Sequence, residues 1–143
     1  MTESITIRRV VPASAARVFA AWTTPELLRR WWGPPGVTCT SAELDLRVGG
    51  AYRIDNQLPD GRVMTIRGTF EAIDEPRELV YSWQVGDEPV SRVIVRFADF
   101  ELDSCEVTVT HERIHSIAAR DSRDRGWVGC LDGLFRWANS QRK

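Results

Sequence analysis

The sequence predicts an α+β domain in which a curved antiparallel sheet wraps one long C-terminal helix. Three observations carry this. A short β-rich run and two short helical stretches fill the first 36 residues. From Val37 to Arg113 the apolar period is two, with turn signals every ten or so residues. Over the last thirty residues it becomes 3.6, with an unusually aromatic inner face.

The elements follow in order. In Ser4–Val11, Ile5, Ile7 and Val11 share one face, Arg9 interrupts it, and Val10 lies on the other. Pro12 ends the run, and Ser14 is placed to cap a helix carrying Val18, Phe19 and Trp22. Pro25 suits a first helical position, so a second short helix begins there and stops at Gly33-Pro34-Pro35-Gly36. Six strands are expected at Val37–Leu46, Ala51–Leu58, Val63–Ile73, Leu79–Val85, Val90–Phe100 and Ser104–Arg113. Short turns and half-buried alternation make them an antiparallel meander. On the final helix Trp127, Cys130, Leu131, Leu134, Phe135, Trp137 and Ala138 fall on one side. Gly129, Asp132, Gly133 and Arg136 fall on the other. The only large apolar surface available to cover the first side is the sheet face. The space between sheet and helix is where a small ligand would sit.

Composition bounds the function. A chain of 143 residues is expected to be one domain, 1–143, without metal or disulfide staples. The net charge of -1 argues against a general nucleic-acid binder. No apolar run is long enough for a membrane span, and no signal peptide precedes the first strand, so a cytoplasmic protein is expected, without membrane insertion. Cys39, Cys105 and Cys130 are odd in number, widely spaced and never CxxC, and read as reduced, mostly buried thiols.

The motif that most resembles chemistry is HERIH, His111 to His115, a literal H-E-x-x-H. It follows the alternating VTVT, and on a continuing strand the two histidines would stand about 13 Å apart. One zinc ion, with bonds of about 2 Å, does not span that. No metal and no cofactor are expected. His111 shares the face of Cys105, Val107 and Val109 and should point inward. It reads either as a histidine satisfied by a neighbour or as an acid, base or ligand donor. Gly49-Gly50 joins two strands and does not open a helix, so it is a turn and not a phosphate loop.

Aromatics dominate the remainder. Trp83 and Tyr81 share a strand face, Tyr52 leads another with Ile54, and WTTPELLRRWWGPPG places Trp22, Trp31 and Trp32 within eleven positions. Each reads as core packing or as pocket wall. Adjacent helical residues diverge by about 100°, so Trp31 and Trp32 are not expected both to point inward. The outward one, beside Pro34 and Pro35, is a candidate partner or dimer surface. Arg92, Arg96 and Asp99 should face solvent. Asn56 and Glu43 are the polar residues expected to reach an enclosed space. Strand registers from Val37 to Leu46 would flip at any bulge.

The order β-αα-β6-α resembles the START-like, helix-grip superfamily. The strings VFAAWTTPELLRRWWGP, ELDLRVGGAYR, EPRELVYSW and RDRGWVGCLDGL are similar to its branch of homologues of the activator of the heat-shock protein 90 ATPase. The resemblance covers nearly the whole chain. It implies that the two short helices close one end of the groove and that Trp127 lies over the sheet. The superfamily includes lipid and hormone carriers, polyketide cyclases and aromatases, and a chaperone-binding domain, and fold alone does not choose among them. The eukaryotic-type activator uses a separate N-terminal domain for which 143 residues leave no room, so a chaperone partner is not the leading expectation. That expectation is a binding protein for a small apolar or aromatic molecule. Tyr52, Trp83, Trp127, Leu131 and Trp31 would supply walls, and His111 a directional polar contact. The alternatives are a metal-free cyclase, dehydratase or hydrolase in the same cavity, with His111 shuttling a proton, or a co-chaperone-like module binding at Trp31 and Trp32.

Overall fold

A computed structural model describes residues 2–142. Strand β1 (Glu3–Val11) is followed by helices α1 (Ala15–Thr23) and α2 (Pro25–Trp31). Six strands succeed them: β2 (Thr38–Leu44), β3 (Ala51–Gln57), β4 (Val63–Asp74), β5 (Glu78–Val85), β6 (Ser91–Asp99) and β7 (Cys105–Ile114). Helix α3 (Ile117–Ser140) closes the chain. The seven strands form one antiparallel sheet in the order β1-β7-β6-β5-β4-β3-β2. Thus β2 to β7 form the meander, and β1 joins it beside the last strand. No described helix is long and apolar enough to cross a membrane.

Local chemistry accounts for the helix limits. The Ser14 hydroxyl accepts from the Arg17 N–H at 3.3 Å, and Pro25 opens α2 at a position that has no N–H partner to lose. Ser116 caps α3 by accepting from the Ala119 N–H at 3.1 Å. Asp99 is exposed as expected, and its carboxylate also accepts from the Ala15 N–H at 3.0 Å, tying the α1 start to β6. Arg92 is half-buried between Glu71 and Glu112, and Arg96 is exposed and pairs with Glu78.

Bulges decide which side chains point inward. At Thr40 the pairing skips a residue, from Cys39 opposite Asn56 to Ser41 opposite Asp55. Cys39 is therefore inward, but beyond the bulge the inward set is Ala42 and Leu44. Glu43, expected to reach the enclosed space, is exposed. On β7, Arg113 takes φ 61°, and the pairing with β1 skips there as well. His111 and Ile114 are consequently both buried, while His115 turns out toward Glu88. The two histidines of HERIH end on opposite sides of the wall. Among the described residues no group of three or more His, Cys, Asp or Glu is gathered to hold an ion.

Arg9 does not break the inner face of β1. It reaches across that face, its guanidinium 4.7 Å from the Phe135 ring centroid and 2.6 Å from Asp132 Oδ1, and so ties β1 to α3.

Helix α3 contacts β1, β7 and α2. Gly129 and Gly133, expected on its polar side, are buried. A Cβ on Gly129 would stand 2.6 Å from Pro34 Cβ, and one on Gly133 would stand 2.5 Å from the Trp31 carbonyl oxygen. The helix thus has two contact faces, one on the sheet and one on the α2–β2 loop, and only glycine lets the second approach so closely. Gly133→Val is expected to lower stability by about 1–3 kcal/mol through overpacking. Chemical denaturation at unchanged m-value checks this.

Candidate functional site

The tryptophan-rich stretch is core. Trp22, Trp31 and Trp32 are only 3%, 2% and 6% exposed, so neither Trp31 nor Trp32 forms a surface patch. Both point inward because α2 ends at Trp31. Trp32 is its C-cap, with extended backbone (φ -69°, ψ 138°), so the 100° divergence of helical neighbours does not apply to the pair. Trp22 is stacked on Trp127 with centroids 6.1 Å apart and donates to Tyr81 Oη at 3.4 Å. Trp31 donates to the Ala21 carbonyl at 3.1 Å.

Because α3 packs over the β1/β7 end of the sheet, the inner faces of β3, β4 and β5 are left partly uncovered. A cavity of about 350 Å³ lies there. Its aromatic wall is Trp32, Trp83 and Trp127, whose ring centroids are 5.4–6.3 Å apart. Met64 and Ile66 of β4 and Cys130 of α3 complete the apolar lining, and Pro34 and Val37 close one side. Arg123, Arg125 and Ser122, in the first turns of α3, supply its polar edge. Arg123 is engaged by Glu88 at 2.8 Å.

The polar feature of this cavity is Asn56. It is 1% exposed, and among the described residues no group meets either its Nδ2 or its Oδ1. Trp83 Nε1 is likewise buried without a protein acceptor. Buried polar groups are normally hydrogen-bonded, and leaving one unsatisfied costs about 1–3 kcal/mol. Two such groups line one cavity: an amide that both donates and accepts, and an indole that donates.

His111 is not on the cavity surface. It is fully buried behind Trp83 and Trp127. The Trp127 indole donates to its Nδ1 at 3.1 Å, and an indole N–H has no acceptor capacity. The ring is therefore the neutral Nε2–H tautomer, which donates to Ser91 Oγ at 2.7 Å, and Ser91 in turn meets the Trp83 carbonyl at 3.4 Å. Burial, helped by the nearby Arg123 charge, lowers the His111 pKa to about 3. A neutral imidazole with both nitrogens occupied and no access to the cavity is a buttress, not a proton shuttle. The thiols are equally quiet: burial pushes Cys105 and Cys130 up to about 12, and all three cysteines are free.

Of the residues singled out in the sequence, Trp83 and Trp127 meet on this wall. The Tyr52 ring, its hydroxyl donating to the Ser82 carbonyl at 2.6 Å, lines a separate gap of about 20 Å³ beside Trp22, Phe70 and Tyr81. Burial raises the Tyr52 pKa well above the ordinary phenol value. Leu131 is core, and Trp31 borders a groove on the other side of the α2–β2 loop. Sequence reasoning passed over Met64 and Ile66, read Cys130 only as a buried thiol on the inner side of the last helix, and left Trp32 open between core, pocket wall and partner surface. The period-two parity of β4 carries a usable signal for Met64 and Ile66; that of Trp32 depends on where α2 ends.

Comparison with known proteins agrees with this fold. A protein from Chromobacterium violaceum, CV1439, is 24% identical with a TM-score of 0.86, over 94% of this chain and 96% of that one. The AHSA1 (SPO3351) protein from Silicibacter pomeroyi is 17% identical with a TM-score of 0.84, over 98% and 100%. CalU16 from Micromonospora echinospora is 26% identical with a TM-score of 0.74, over 93% and 74%. No curated protein sequence matches this chain. The family model for Activator of Hsp90 ATPase homolog 1-like proteins matches residues 12–137, from the end of β1 almost to the end of α3. The chain belongs to the Activator of Hsp90 ATPase homolog 1-like family.

Proposed function

We propose that this protein binds a small, mainly aromatic or apolar molecule carrying one amide-like polar group, in the cavity between β3–β5 and the first half of α3. The observation that carries this reading is Asn56, an amide buried at a cavity wall with neither of its polar atoms met by protein. Its side chain offers one donor face and one acceptor. A ligand amide, lactam or hydroxy-carbonyl group would satisfy both, with the Trp83 N–H as a further donor. The ring faces of Trp32, Trp83 and Trp127 would take the apolar body, and a cavity of about 350 Å³ lies within the range used by small-molecule sites.

The test uses the three wall tryptophans as reporters. Titration with 2-naphthamide is expected to change tryptophan fluorescence saturably. Asn56→Leu is expected to weaken that binding about tenfold, the worth of one to two hydrogen bonds. Naphthalene, which has nothing to offer the amide, should bind the variant at least as well as the parent. Absence of saturable change with either probe would overturn the reading. Equal loss of both probes in the variant would remove Asn56 from it.

A further inference from the structure

The face of the α2–β2 loop opposite the cavity carries a second concavity, a groove of about 460 Å³. Arg29 and Arg30, in the last turn of α2, line it from one side, and Arg136 of α3 lines it from the other. Among the described residues no aspartate or glutamate lines it. Most of the chain's other arginines pair with a carboxylate, and of those that do not, Arg8, Arg17 and Arg125 are not brought together in one concavity. Arg9 meets Asp132, Arg92 meets Glu71 and Glu112, Arg96 meets Glu78, Arg120 meets Glu3 and Arg123 meets Glu88. Arg29, Arg30 and Arg136 have neither a carboxylate nor a hydrogen-bond acceptor among the described residues.

Three guanidinium groups gathered without a counter-charge repel one another, and in a protein of net charge -1 there is no shortage of carboxylates to place among them. The C-terminal end of α2 offsets part of one charge, not three. A second observation points the same way. Trp137 lines the groove, and its indole N–H is buried and meets no acceptor among the described residues. Three guanidinium groups therefore border one concavity, and neither they nor the neighbouring Trp137 N–H meet a partner among the described residues.

We infer that this groove is a binding site for a small molecule bearing a phosphate or pyrophosphate group. Guanidinium forks match phosphate oxygens in pairs, and the Trp137 N–H donates to the same kind of acceptor. A pyrophosphate, with about three negative charges near neutral pH, balances the three arginines. The site is independent of the inner cavity, although Trp32, Pro34 and Val37 border both.

Two-dimensional amide spectra of the whole chain test this through the Trp137 indole resonance, assigned with Trp137→Phe. Sodium pyrophosphate, added at constant ionic strength, is expected to shift that resonance saturably. The double variant Arg29→Ala/Arg136→Ala should weaken binding at least tenfold. These side chains are exposed, so the fold is retained, which the unaltered remainder of the spectrum will show. Arg8→Ala/Arg17→Ala, removing two exposed arginines outside the groove, should leave the affinity unchanged. A shift that stays linear with pyrophosphate, or that weakens equally in both double variants, would overturn the inference. A tetraglutamate peptide that binds more tightly than pyrophosphate would overturn it in favour of an acidic protein segment.

Discussion

Trp127→Ala is expected to lower the unfolding free energy by about 3–5 kcal/mol, the usual cost of deleting a fully packed aromatic side chain. Trp127 is 2% exposed and touches Trp22, Trp32, Trp83 and His111 at once. Its loss opens the cavity wall, and because the indole N–H satisfies His111 Nδ1, it also leaves a buried acceptor without a partner. Trp127→Phe separates the two contributions. It keeps most of the apolar area and loses the hydrogen bond with a small part of the ring volume, so a loss of about 1–3 kcal/mol is expected. Domains of this size are stable by about 5–15 kcal/mol, so the alanine variant should sit near the limit of folding at 37 °C. Denaturant midpoints for both variants check the order: alanine well below phenylalanine, and phenylalanine below the parent. Equal midpoints would show that the indole N–H carries nothing.

His111 makes stability depend on acid. In the folded chain its pKa is depressed to about 3, against an ordinary 6.5. Between those values the unfolded chain holds a proton that the folded chain does not, so stability rises with pH across this window. The contribution is fully present above about pH 6.5. It falls by up to about 1.4 kcal/mol per pH unit as the pH drops toward 3, and then levels off. His111→Leu should be less stable than the parent at pH 7, since Ser91 and Trp127 lose a partner. The gap should close as the pH falls to about 4, because the variant has no buried imidazole to protonate. Unfolding curves at pH 7, 6, 5 and 4 for both chains measure the two slopes. Parallel slopes would show that His111 titrates normally in the folded state.

Much of the architecture was legible in the residues because it rests on local regularities. Ser14 and Pro25 mark helix starts, and the alternation of Leu79, Tyr81 and Trp83 or of Val107, Val109 and His111 survives intact in the sheet. Strand limits shifted by a residue or two. Asn56 was legible as a polar residue with the parity of Tyr52 and Ile54. The same reasoning failed four residues beyond Cys39, where the Thr40 bulge inverts parity and turns Glu43 outward. No residue type announces that bulge.

By itself, then, the sequence determined the order of elements, the antiparallel meander and the presence of an aromatic interior, because periodicity and capping are properties of neighbouring residues. Tertiary structure alone decided the rest. It set β1 beside β7, laid α3 over that end of the sheet, and so left the inner face of β3–β5 to line a cavity. It turned both Trp31 and Trp32 inward by ending α2 between them, and moved His111 from a supposed pocket contact to a buttress held by Ser91 and Trp127. It also drew Arg29, Arg30 and Arg136 into one groove, across more than a hundred residues of chain. These contacts join residues far apart in sequence, and close packing of unlike neighbours has no period to read.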